Sequence, residues 1–279
     1  MRFLAFLLPV FAVLAVAMVA VVAWAATGDH AVPSLPASAD DVATEAPTAA
    51  VQSRVQPGQS VCQSFTTRPA PGTARTFPEI YTRRETTLGI TVVGSAAISE
   101  RAFTSAKATI ERMFGGNDLA KPLAEQGAYV IIAEPGQGVL DLPEFACLEK
   151  DFGSEFFTHV CGIADRADYP VATVNELDLI GQRTGPCSGL NILFHELGHL
   201  VQSWSLPPPD YFDVKSFYQE ALTAGKYRDL YAATNPNEYF AEGTQAYFLS
   251  TDPRGRQDRA WLRRYDPKLY TLLAALYGD

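Results

Sequence analysis

The sequence has no stripe of basic residues. Its 22 lysines and arginines are scattered among 279 residues, and 31 acidic residues give a formal net charge of −9. Nucleic-acid binding depends on clustered positive charge, so this pattern argues against a nucleic-acid partner. The hydrophobic fraction of 47% is sufficient for a globular domain with a sizeable core.

Charge is also missing from the N-terminal segment. An apolar run covers residues 3–24 after Met1-Arg2, and it ends in the small-x-small pattern Ala23-Trp24-Ala25. This pattern is typical of a signal peptide, here residues 1–26. The run is also long enough to span a bilayer, so an uncleaved membrane anchor is the alternative. Both alternatives predict a secreted or extracytoplasmic protein, and the lack of a cysteine at the cleavage point excludes a lipoprotein.

No aromatic residue occurs in the segment 27–60, which consists mostly of Ala, Pro, Ser, Thr, Val and Asp. Such a segment buries too little apolar surface to offset its own ordering entropy. We therefore predict a disordered linker at 27–60 and a single folded domain at 61–279.

Cysteine is scarce, and no two cysteines have the CxxC spacing of zinc sites. An even number in an exported chain predicts two disulfides, and the sequence leaves three pairings open. We favour Cys147–Cys161, which closes a short loop, together with Cys62–Cys187.

The segment 87–175 has the patterns of a small sheet. Apolar and β-branched runs predict strands at 87–93, 129–133, 156–161 and 171–174. Apolar residues at helical spacing predict a helix over 98–114. Beyond residue 185 the pattern is helical, with further helices predicted at 214–226 and after Asp266-Pro267. These features predict an α+β fold.

One motif carries chemistry: His195-Glu196-Leu197-Gly198-His199, or H-E-x-x-H, within an apolar stretch that contains no proline. Residues four apart in a helix emerge on one face, so both imidazoles can reach one zinc ion. Glu196 then lies beside the ion and can deprotonate a water that the ion binds, which is the general-base role typical of this motif. A chance H-E-x-x-H on a core helix is the alternative, but the chain has only four histidines in all.

A third ligand must come from elsewhere in the chain. A histidine ten positions after His195 would complete a longer zinc motif, but that position is Ser205. His30 lies in the predicted linker, and His159 lies in a predicted strand upstream of the motif. A carboxylate is therefore favoured.

The segment 235–248 offers two carboxylates. Asn235 is a good N-cap and Pro236 suits the first helical position, so Glu238 and Glu242 fall on one helical face. One of them would ligate the metal, and the other would accept the free N–H of a ligating imidazole. Glu238 is our preferred ligand; Glu242 as the ligand, or a helix-capping role for Glu238, are the alternatives.

Together these residues resemble the gluzincin peptidases, most closely the catalytic domain of the anthrax lethal factor type and its bacterial and fungal relatives. The resemblance covers residues 191–248. In that family a tyrosine stands seven residues before the ligand glutamate and a second glutamate follows four after it, as Tyr231, Glu238 and Glu242 do here. The resemblance implies that Glu238 is the third Zn²⁺ ligand, that Glu242 supports a ligating histidine and that Tyr231 donates to the oxyanion. Tyr227 is an alternative to Tyr231.

The expected fold is therefore zincin-like, with a small twisted sheet on the motif helix and a mostly helical C-terminal part. The expected function is a secreted zinc endopeptidase that acts on peptide or protein substrates, with a membrane tether through residues 3–24 if the anchor is retained. A zinc hydrolase of non-peptide amide bonds and a catalytically silent binding protein of the same fold are the alternatives.

Overall fold

A computed structural model describes residues 20–23, 75–166, 169–250 and 257–278. These residues form a mixed sheet and a set of helices, and the C-terminal part is mostly helical, which confirms the predicted α+β class. The predicted linker at 27–60 lies outside the described residues, as does Cys62. Of the predicted signal peptide or anchor, only residues 20–23 are described.

The sheet contains parallel and antiparallel neighbours. Its strands are β1 (Ala20–Ala23), β2 (Arg83–Thr87), β3 (Ile90–Gly94), β4 (Tyr129–Ala133), β5 (Val160–Arg166) and β6 (Tyr169–Asn175). Their spatial order is β1-β5-β6-β4-β3-β2. The neighbours β3, β4 and β6 run parallel, whereas β2, β5 and β1 each pair antiparallel with their neighbours.

The predicted strand over 87–93 is wrong in its extent. Thr87 ends β2, Ile90 begins β3, and these two residues pair across a two-residue turn. Leu88 and Gly89 both have positive φ, at 50° and 79°. That conformation suits the right-handed twist of a hairpin. A leucine rarely adopts it, so the turn has a weak signal in the sequence.

Nine α-helices lie within the described residues. They are α1 (Glu100–Phe114), α2 (Ala120–Glu125), α3 (Glu149–Phe152), α4 (Glu176–Leu179), α5 (Ile192–Trp204), α6 (Pro208–Thr223), α7 (Pro236–Phe248), α8 (Arg259–Tyr265) and α9 (Pro267–Tyr277). The strand predicted at 156–161 is wrong: a 3₁₀ helix covers Ser154–His159, and β5 begins only at Val160. The helix predicted at 214–226 begins earlier, because prolines are tolerated in the first turn.

Hydrophobic cores lie on both faces of the sheet. One core joins the sheet to α1, α5 and α7, and its fully buried members include Val92, Val130, Phe103, Leu197 and Phe240. The other core lies under the segment between β4 and β5, and includes Val93, Ile131, Ile163, Phe145 and Phe157. The sheet therefore serves as a rigid support on which α5 is packed.

A disulfide joins Cys161 of β5 to Cys187, in the 3₁₀ helix Gly185–Cys187 that precedes α5, with a Cα–Cα distance of 5.8 Å. Both pairings that we favoured from the sequence are therefore wrong. The packing of β5 against α5 brings these two cysteines together. The number of residues between two cysteines does not reveal such packing. Cys147 is also disulfide-bonded. The disulfide indicates an extracytoplasmic environment.

Within the described ranges, no helix is both long enough and apolar enough to cross a bilayer.

Candidate metal centre

Helix α5 places the H-E-x-x-H motif in the interior of the protein. His195 and Glu196 are fully buried and His199 is 1% exposed. The apolar residues of the same helix pack under the sheet and against α7, namely Ile192, Leu193, Leu197, Leu200 and Val201. Packing on several sides fixes the orientation of the helix, and with it the direction of the imidazoles.

Helix α7 begins as the sequence predicts. The Asn235 side chain accepts hydrogen bonds from the backbone N–H groups of Asn237 and Glu238, and Pro236 occupies the first turn. The carboxylate of Glu238 is therefore not needed as a cap. It points instead to the histidines and is 2% exposed.

The two histidines and Glu238 converge on one point. Nε2 of His195 lies 2.9 Å from Nε2 of His199 and 3.1 Å from Oε2 of Glu238. The third side of this triangle, from His199 Nε2 to Glu238 Oε2, is 3.4 Å. Of the described residues, these three form the one such group able to hold a metal ion.

The triangle fits a divalent cation. Ligand atoms about 2.0–2.1 Å from a tetrahedral ion lie roughly 3.3 Å from each other, close to the three distances observed. Two imidazole nitrogens and one carboxylate oxygen form a donor set that zinc accepts, and three protein ligands leave a fourth position open. The buried triangle can therefore hold a metal ion.

The electrostatics of the triangle favour ionised glutamate. Burial alone would raise the pKa of Glu238, but attraction to His199 and His195 outweighs it and lowers the pKa to about 2. Burial opposes a charge on His195 as well, yet contact with Glu238 and Glu242 raises its pKa to about 10. At His199 burial dominates and the pKa is lowered. A metal ion would have to displace the proton on His195.

Glu242 lies on the far side of the His195 ring. Its Oε1 atom is 3.2 Å from Nδ1 of His195, whereas Nε2 of the same ring faces Glu238. Glu238 therefore faces the point that both histidines share, and Glu242 faces the opposite nitrogen of the His195 ring. A carboxylate beside Nδ1 favours the tautomer that leaves Nε2 free for a metal.

Glu196 is buried next to the triangle but does not join it. Neither carboxylate oxygen has a hydrogen-bond partner among the described residues. Burial raises the pKa of Glu196 well above its usual value; negative charge on Glu238 and Asp178 adds to the rise, and His195 opposes it. Once ionised, such a carboxylate holds a proton more strongly than an exposed glutamate does.

Tyr231 and Tyr227, the two candidates for the oxyanion donor, lie in different surroundings. The ring centroid of Tyr231 lies 6.4 Å from that of His195, at the edge of the candidate centre. Tyr227 is buried elsewhere, and its hydroxyl donates to Oδ2 of Asp266 at 3.1 Å. Tyr231 is thus the tyrosine positioned near the histidines.

Two further residues near the centre were not found from the sequence. Asp178 of α4 is buried and contributes to the raised pKa of Glu196. Gly162 of β5 lies directly against the Glu196 carboxylate. A glycine inside a strand often marks a place where another group approaches the backbone closely. That pattern could have identified Gly162 from the sequence.

Gly198, inside the motif, lies where α5 and α7 pack closely together. A Cβ atom at this position would lie 3.1 Å from Cβ of Thr244 and 3.2 Å from Cα of Ala241. The small residue allows Glu238 and the histidines to meet, because it brings the two helix backbones together.

Comparisons with known protein families, with characterised proteins and with solved structures found no match.

Proposed function

We propose that this protein is a zinc-dependent endopeptidase that acts outside the cytoplasm. One observation carries the proposal: the Nε2 atoms of His195 and His199 and Oε2 of Glu238 lie within 3.4 Å of one another, with the buried carboxylate of Glu196 beside them. This combination supplies three metal ligands and a base, which are the parts that metal-assisted hydrolysis needs.

A bound Zn²⁺ would supply Lewis acidity, lowering the pKa of water and polarising a substrate carbonyl. His195, His199 and Glu238 would hold the ion, and Glu242 would fix the His195 ring through Nδ1. Glu196 would take a proton from the attacking water and pass it to the leaving amine. Tyr231 would donate from its hydroxyl to the negative charge that develops on the carbonyl oxygen.

The edge of the sheet favours an extended peptide as substrate. In the structure β5 pairs antiparallel with the extended segment Ala20–Ala23, in a register that places Val21 opposite Ile163. The edge of β5 thus accepts an extended chain at the strand that covers Glu196. A cavity of about 300 Å³ lies where β5 begins and β6 ends, and is lined by Val160, Gly162 and Arg183 among others. It would receive one side chain of the substrate.

Two other functions use the same parts. A zinc hydrolase of non-peptide amide bonds would need the same metal and base. Its substrate, however, would not pair with the edge of β5 as an extended peptide can. A silent binding protein would not need a buried carboxylate without hydrogen-bond partners, because such a group destabilises the fold. Because the buried carboxylate of Glu196 has no hydrogen-bond partner among the described residues, we favour an active enzyme.

The test is incubation of the purified protein with a diverse peptide library, with and without a chelator, read by mass spectrometry. We expect cleavage that the chelator abolishes and added Zn²⁺ restores. Glu196→Gln is the matched control, because it should keep zinc bound and stop cleavage. Cleavage of non-peptide amides alone would favour the first alternative. A zinc-loaded protein that cleaves neither class would favour the silent binding protein.

A further inference from the structure

Gly162 of β5 faces the Glu196 carboxylate. It pairs with Val174 of the neighbouring strand β6, whose side chain belongs to the core shared with α5. Gly162 therefore lies on the face of the sheet that covers α5.

The space beside Gly162 is filled on three sides. A Cβ atom at this position would lie 2.6 Å from Oε1 of Glu196, 2.7 Å from the backbone oxygen of Thr173 and 2.8 Å from Cγ2 of Ile192. All three distances are shorter than van der Waals contact. The Thr173 oxygen is part of the sheet and Ile192 is β-branched, so both resist movement. Glu196 is the neighbour most able to move.

Backbone conformation does not explain the glycine. Gly162 is absent from the glycines with positive φ, so alanine could adopt its backbone angles. The requirement for glycine at this position is therefore one of space.

No hydrogen bond to a described residue holds the Glu196 carboxylate in place. The direction of this side chain must then be set by the surfaces around it, and β5 at Gly162 is one of them. We propose that Gly162 is a positioning residue: its missing side chain creates the space in which the Glu196 carboxylate is held beside the metal ligands. This inference rests on the proposed function, since it assigns a role in the same reaction.

Gly162→Ala tests the proposal by kinetics. The added methyl group should displace the carboxylate, and a misplacement of about 1 Å can cost about 100-fold in rate. We expect kcat to fall by about this factor with little change in KM, because substrate binding does not use Glu196. Zinc affinity measured by calorimetry should stay unchanged, since no metal ligand is among the neighbours of the added methyl.

Gly116→Ala is the matched control. A Cβ atom there meets nothing within 4 Å, and its φ is not positive, so kcat and the melting temperature should be retained. The proposal is overturned if Gly162→Ala keeps the wild-type kcat, or if it loses zinc in step with activity.

A double-mutant cycle of Gly162 and Glu196, measured by melting temperature, tests the proposal even if no hydrolytic activity is detected. If Glu196 fills the space, Gly162→Ala should lower the melting temperature less in a Glu196→Ala background than in the wild type. An equal loss in both backgrounds, or failure of both proteins to fold, would show that the sheet backbone alone demands the glycine and would overturn the proposal. Absence of hydrolysis by the wild-type protein would instead count against the proposed function only, because the cycle is read by unfolding.

Discussion

Nδ1 of His195 lies 3.2 Å from Oε1 of Glu242, while the other nitrogen of the same ring lies 3.1 Å from Oε2 of Glu238. One imidazole of α5 therefore lies between two glutamates that are one turn apart on α7. The two glutamates therefore have different surroundings, because only the nitrogen facing Glu238 also faces His199.

The two glutamates should differ in their effect on zinc affinity. Glu242→Gln should weaken zinc binding by about 10–100-fold, as is usual for a group that orients a ligating histidine. Glu238→Gln should weaken it more, because a ligand atom is lost. Calorimetric titration of both variants checks the order. The reverse order would make Glu242 the ligand.

Zinc should raise the melting temperature of the wild-type protein. The triangle of ligand atoms exists only in the folded chain, so bound zinc stabilises the fold by about 2.7 kcal/mol at a free concentration 100 times the Kd. Lowering the pH should reduce this stabilisation, because protons compete for the histidines. Glu196→Gln should retain the shift; loss of the shift in that variant would place Glu196 among the ligands.

Substitutions of Tyr231 and Tyr227 by phenylalanine form a matched pair that tests the oxyanion role. Tyr231→Phe should lower kcat by about 10²–10³-fold, the usual effect of losing one donor to a developing oxyanion. Tyr227→Phe should lower the free energy of unfolding by about 1–3 kcal/mol, because its hydrogen bond to Asp266 is lost, with kcat unchanged. If the kinetic effect followed Tyr227 instead, the oxyanion role of Tyr231 would be wrong.

The disulfide should stabilise the fold, because it ties β5 to the segment that leads into α5. Replacing Cys161 and Cys187 together by alanine opens a loop with a sequence separation of 26 and should lower the free energy of unfolding by about 3 kcal/mol. Denaturant unfolding of the double variant measures this value. An unchanged midpoint would mean that packing alone holds β5 against α5.

Asp178 should make stability depend on pH. Burial raises the pKa of its carboxyl to about 7, although Arg183, with Nη1 3.7 Å from Oδ2, opposes the rise. The folded chain then holds a proton that the unfolded chain releases at roughly pH 4, so the free energy of unfolding should fall as pH rises from roughly 4 to 7 and level off above.

Asp178→Asn should remove this part of the pH dependence, which is at most about 4 kcal/mol. Denaturant unfolding of both proteins across this pH range measures the difference, and other titrating groups cancel in the comparison. Parallel pH profiles for the variant and the wild type would contradict a raised pKa at Asp178.

The errors made from the sequence share a cause. The strand predicted over 87–93 is interrupted by Leu88-Gly89, a turn whose stability comes from pairing with the rest of the sheet. The favoured disulfide pairings failed because loop length says nothing about which segments pack together. Both features depend on contacts that a local pattern does not contain.

The sequence alone was sufficient to determine that His195 and His199 share one face of a helix. It was also sufficient to determine that α7 begins at Pro236, after Asn235 as the N-cap. Those features follow from the helical period and from hydrogen bonds between near neighbours, which are encoded in short stretches of residues. Only the tertiary structure decided that Glu238 rather than Glu242 meets both histidines, that Tyr231 rather than Tyr227 lies beside them, and that Gly162 faces Glu196. These outcomes depend on how closely α5, α7 and β5 approach one another, and that approach is set by packing across the whole core.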